Sequence, residues 1–120
     1  MSSEIVLPYE TLRRWPRYTT DVPVRLITQR ATNAAVVHGR GRELNHGGMV
    51  VFAGVELSVG EQVAVDFTPP YAGQPIRVRS FVRNRNGYAY GLEFITENDA
   101  DYSNVGQLES ILRTLSSVAN

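Results

Sequence analysis

The stretch Ile76–Phe94, IRVRSFVRNRNGYAYGLEF, decides the fold. Ile76, Val78, Ser80 and Val82 recur at every second position, and Arg77, Arg79, Phe81, Arg83 and Arg85 stand on the other side of the alternation. A two-residue period puts alternate side chains on opposite faces of an extended chain, so this segment reads as a strand with one face toward a core and a basic face toward solvent. Asn86-Gly87 comes next, a strong two-residue hairpin signal, and Tyr88 to Phe94 reads as the returning strand. The two predicted strands pair across that turn, with Tyr88, Tyr90 and Phe94 serving packing and the hairpin.

The same period runs through the chain upstream. Val22 to Thr28, Ala34 to Arg42, Met49 to Ala53 and Gln62 to Thr68 are further candidate strands, which brings the expected number to about six. Gly47-Gly48 and the Pro-Pro pair of TPPYAG, residues 68–73, break the runs with turn chemistry. The expectation is a mainly β chain built as an antiparallel barrel or sandwich. After Phe94 the period changes. Val105, Leu108, Ile111, Leu112, Leu115 and Val118 fall on one helical stripe, with Asn98 or Asp99 as the N-cap. Each large apolar side chain on that stripe gains about 1.5–3 kcal/mol when fully buried, so the helix needs an apolar partner surface: the barrel, or a second molecule.

Composition bounds what such a domain does. Its 120 residues suffice for one compact core. Twelve basic and twelve acidic side chains cancel, so no strong long-range field draws the molecule onto DNA or an anionic membrane, and any anion site must be local. The absence of cysteine excludes disulfides, thiolate nucleophiles and Cys-ligated zinc. MSSEIVLPYE has neither a basic n-region nor a long apolar run, so a soluble, cytoplasmic protein without membrane insertion is expected. His38 and His46 have no metal-ligand spacing, and no nucleophile elbow or phosphate loop is present. Hence no catalytic residue, no metal and no cofactor are assigned. An enzyme using His46 in acid–base chemistry is the minor reading, since a lone histidine in a turn is more often a solvated loop residue.

Two segments rise above this background. The first is Arg13-Arg14-Trp15-Pro16-Arg17, directly ahead of the Val22 strand. Pro16 keeps the residues before it from forming an ordinary helix, so the guanidinium groups of Arg13 and Arg17 can converge on one ligand; such forks suit a phosphate or the O6 and N7 edge of a guanine. The bland alternative is a set of solvated loop charges. Trp15 has two readings as well, a base-stacking ring or a hydrophobic anchor for the segment. The second segment is Glu43-Leu44-Asn45-His46-Gly47-Gly48, followed by the apolar run MVVFAG.

Taken together these features resemble the PilZ domain family, whose members have an RxxxR segment leading into a six-stranded antiparallel barrel, a [D/N]xSxxG motif on an early strand, and commonly a C-terminal helix. Arg13 and Arg17 match the first motif, Arg14 is an adjacent extra arginine, and Glu43 to Gly48 align with the second. Glu43 stands where the family has Asp or Asn, Asn45 stands where it has Ser, and Gly48 is unchanged. VRNRNGYAYGLEF, residues 82–94, resembles the family's late hairpin ending in Gly-x-x-Phe. The resemblance implies a mainly β, six-stranded antiparallel barrel with a C-terminal helix. Residues 1–11 would be an extension, 12–97 the barrel with its arginine loop, and 98–120 the helix, packed on the barrel or a partner. The implied ligand is cyclic diguanylate, held by Arg13, Arg14, Arg17, Glu43, Asn45 and Gly48, with closure of the arginine loop passing the signal to an unidentified downstream protein. The alternative is an adaptor of the same fold that captures proteins and has lost the nucleotide.

Overall fold

A computed structural model describes residues 17–30, 33–45, 47–70 and 73–119. Its elements are β1 (Arg17–Arg30), β2 (Asn33–Asn45), β3 (Gly48–Ala53), β4 (Gln62–Phe67), β5 (Ile76–Asn86), β6 (Ala89–Phe94), α1 (Asp99–Thr114) and β7 (Ser117–Ala119). The hydrogen-bonded order is β2-β3-β6-β5-β4-β1, and β1 also pairs with β2, so six strands close into an antiparallel barrel. Closure leaves no open edge among these strands. Along β5, Ile76, Val78, Ser80 and Val82 point inward and are buried, as their alternation with the arginines predicts. They meet Leu26, Met49, Val51, Val63, Val65, Phe67, Tyr90 and Leu92 in one core.

The helix completes that core. Val105, Leu108 and Leu112 are buried in it, and α1 packs against β5 and β2 of its own barrel. Of the two N-cap candidates, Asn98 takes the role: its Oδ1 accepts from the Asp101 amide at 2.8 Å. Asp101 in turn receives Arg79 Nε at 3.0 Å, and a second Arg79 nitrogen reaches Glu97 at 3.1 Å, which bolts the first turn of α1 to β5. The guanidinium hydrogen bonds hold the Asp101 carboxyl below its usual range, opposed by burial and helped by the Glu97 amide.

Three local features depart from the expectations. The β5–β6 loop is Gly87-Tyr88 rather than Asn86-Gly87, because Asn86 pairs with Ala89. Gly87 has φ of +64° and no non-glycine residue among the described residues has positive φ; a type I′ turn needs positive φ at both loop positions, whereas a glycine at the first position alone suits type II′. The helical stripe stops short of Val118: α1 ends at Thr114, Leu115 at its C-cap is exposed, and Ser117–Ala119 turns back as β7. The first strand begins at Arg17, ahead of the expected Val22, because it has a partner on each side. Tyr18 and Thr19 pair with Leu44 and Glu43 of β2, while Arg17, Tyr18 and Thr19 pair with Ala119, Val118 and Ser117 of β7.

Candidate functional site

Where β1 begins, the barrel brings the two motif segments side by side. The register Tyr18↔Leu44 and Thr19↔Glu43 carries Arg17 toward Asn45; Asn45 pairs with Gly48 on β3, and Gly48 with Glu93 on β6. Leu44 and Met49 are buried in the core, so their neighbours Glu43, Asn45 and Gly48 belong to the outer face. Arg17 is exposed at the head of β1, and Glu43 and Asn45 are half-buried. Neither Glu43 nor Asn45 makes a side-chain hydrogen bond among the described residues, which leaves their oxygens and the Asn45 amide open to a ligand. Arg13, Arg14, Trp15 and His46 lie outside the described residues, as do residues 1–11.

Glycines floor this face. Gly47 has φ of +80° and its carbonyl accepts from the Phe94 amide at 2.8 Å. A Cβ on Gly48 would overlap the Leu92 carbonyl oxygen, so β3 and β6 reach their observed spacing only with glycine there. The resulting depression, about 680 Å³, is lined by Asn45, Gly47, Gly48, Arg83, Asn84 and Glu93 among others. Beyond it on β1 the register with β2 slips between Thr19 and Val22, and Arg40 pins that slip by donating from Nε to Asp21 Oδ1 at 2.9 Å and from a terminal nitrogen to the Asp21 carbonyl at 3.1 Å. The Arg40 hydrogen bond lowers the Asp21 carboxyl below its ordinary range.

Two charged groupings take their geometry from the pairing of the strands; the first involves Arg83, which the sequence offered, with Arg85, either as an extension of the anion site or as a solvated barrel arginine. Arg83 is the extra residue of a bulge between Val82 and Asn84, paired with Glu93 across the β5–β6 ladder. Elsewhere on the barrel, the buried Asp66 lies between Arg25 at 3.2 Å and Arg77 at 3.0 Å, one residue from each of three adjacent strands. Arg77 and Arg79 are therefore ion-paired rather than simply solvated. No spacing in the chain announces either grouping, because both arise from inter-strand register. Among the described residues no group of three His, Cys, Asp or Glu side chains is placed to hold a metal ion, and no helix is long and apolar enough to cross a membrane.

Comparison with known proteins gives the lineage. The model of the family described as PilZ domain matches residues 11–113. Among solved structures, the crystal structure of the PilZ domain of CeSA from a cellulose-synthesizing bacterium is similar, with a TM-score of 0.63 and 17% identity, covering 77% of this chain and 92% of that one. No curated protein matches this chain. A family match spanning the arginine segment, the closed barrel and nearly all of α1 makes this chain a member of the PilZ domain family.

Proposed function

We propose that this protein is a cytoplasmic receptor for cyclic diguanylate, the ligand that PilZ domains generally bind, and that it regulates a partner rather than catalysing a reaction. Arg13, Arg14 and Arg17 hold phosphates and guanine edges, and Glu43, Asn45 and Gly48 form the barrel side of the site. The observation that carries this reading is the meeting of Arg17 with the Glu43–Gly48 segment on one outer face. Guanidinium forks match phosphate oxygens and the guanine O6/N7 edge, while the Glu43 carboxylate is an acceptor suited to guanine N–H groups. The signal is rearrangement of the arginine segment over the bound nucleotide, which changes the surface shown to a downstream protein.

Calorimetric titration with cyclic diguanylate, with cyclic diadenylate and GTP as controls, tests the reading. Arg17→Ala costs on the order of 1.5–3 kcal/mol, or roughly a tenfold to hundredfold loss of affinity, and Arg17→Lys restores little because it lacks the planar fork. The double change Glu43→Asp with Asn45→Ser tightens binding by restoring the shorter carboxylate reach and the small hydroxyl of the family motif. No heat at high ligand concentration rejects the receptor. The exposed Phe52 and Tyr88, with the Arg42 and Arg85 guanidiniums over their rings at 5.3 and 5.6 Å, favour a second reading, an adaptor that captures a protein without nucleotide. Partner capture that survives Arg17→Ala and ignores added nucleotide would support that reading.

A further inference from the structure

We infer that Arg83 is a third-strand arginine of the nucleotide site, oriented by Glu93 to take a phosphodiester on the side of the depression away from Arg17; this rests on the cyclic diguanylate reading above. Arg83 lines the same depression as Asn45, Gly47 and Gly48. Its placement comes from the backbone, since the register slip between Val82 and Asn84 adds one residue to β5 opposite Leu92 and Gly91 of β6, next to Glu93. Gly91 lacks the Cβ that would collide with the Asn84 amide, so that side chain lies flat and the outer face stays open beside Arg83.

The guanidinium is set up for an anion. Arg83 Nε donates to Glu93 Oε1, and the guanidinium lies over the Phe81 ring, 5.4 Å from its centroid. One edge and one face are thus engaged, while the terminal amino groups make no hydrogen bond among the described residues. Both side chains of the pair are 54% exposed, so the contact contributes little to folding and is readily reached by a ligand. From Arg17 on β1 the path through β2, β3 and β6 to Arg83 on β5 is four strand spacings around the barrel, and the Arg83 guanidinium reaches back to Glu93 on β6. Arg17 and Arg83 thus lie on either side of the glycine floor at Gly47 and Gly48, which fits a ligand carrying two phosphodiesters. Glu93 orients the fork and also repels the anion that the fork attracts.

The test is cyclic diguanylate titration of the full chain and of Arg83→Ala, Arg83→Lys and Glu93→Gln, each checked for its thermal midpoint. Arg83→Ala weakens binding roughly tenfold or more, and Arg83→Lys recovers little of it. Glu93→Gln keeps an oxygen that accepts from Nε but removes the negative charge, so binding tightens about two- to fivefold. All three variants keep the parent's midpoint. If the parent binds and the Arg83 and Glu93 variants bind identically to it, the assignment of Arg83 is overturned and the receptor reading stands. If the parent itself gives no heat, both are overturned.

Discussion

Replacing Gly48 with alanine sets two opposed effects against each other. Gly48 does not have positive φ, so its backbone accepts an L-residue, and the reduced entropy of the unfolded chain alone would favour alanine by about 0.4–1 kcal/mol. Against this, the new Cβ would overlap the Leu92 carbonyl oxygen, with the Leu92 carbonyl carbon at 3.3 Å and Glu93 Cα at 3.4 Å close behind. Every one of these atoms is main chain of β6 and cannot rotate aside. The strands must part, which strains the Gly48↔Glu93 pairing and the adjacent Phe94 amide bond to Gly47. Overpacking of this kind costs about 1–3 kcal/mol and a weakened hydrogen bond adds about 1, so the net is a loss of about 1–3 kcal/mol. With an unfolding entropy of roughly 2.1 cal/mol/K per residue, the midpoint of this chain falls by about 4–12 °C. Thermal and urea unfolding read this directly. A Gly48→Ala protein as stable as the parent would refute the steric reasoning and leave the family glycine to be explained by ligand contact alone.

Gly106→Ala has the opposite sign: Gly106 sits inside α1 with open space at its Cβ, so alanine raises stability by about 1 kcal/mol in urea unfolding, and a loss would mean that the helix is not as placed. Tyr90→Phe removes the hydroxyl that donates to the Val55 carbonyl and accepts from the Leu57 amide at 3.0 Å; it lowers stability by about 1–3 kcal/mol, and a neutral result in the same assay would contradict that buried link. The Asp101 carboxyl is depressed by Arg79, so its contribution is complete above the ordinary carboxylate value of 3.8 and is lost as pH falls through the lower folded value. Asp101→Asn therefore flattens the acid limb of stability against pH, and an unchanged limb would show that the Arg79 contact does not act in solution.

The alternation of Ile76, Val78, Ser80 and Val82 with arginines made the barrel legible, because inward and outward positions are a purely local property of a strand. The Val105, Leu108 and Leu112 stripe made the helix legible for the same reason. Features that depend on register were hidden. The Asp66 grouping needs β1, β4 and β5 to align Arg25, Asp66 and Arg77, and the pairing of Arg17 with Ala119 joins the two ends of the described chain. The Asn86-Gly87 signal marked the correct hairpin but missed its phase by one residue, since turn type is decided jointly by the glycine and by the strand pairing. Gly48 was read as a motif residue, and its close approach to β6 appears only in the closed barrel. At the site, the sequence supplied Arg13, Arg14, Arg17, Glu43, Asn45 and Gly48 as candidates and Arg83 as a candidate extension, while the Glu93 contact that orients Arg83 came from the bulge.

Amide chemical shifts recorded during addition of cyclic diguanylate test the central claim most directly, because they report both whether the nucleotide binds and which face receives it. The account predicts saturable changes clustered at Arg17–Thr19, Glu43–Asn45 and Gly47–Met49, with Ala64 and Val65 on β4 unmoved. A spectrum that stays unchanged at millimolar nucleotide, or changes confined to the β4 face, would contradict it.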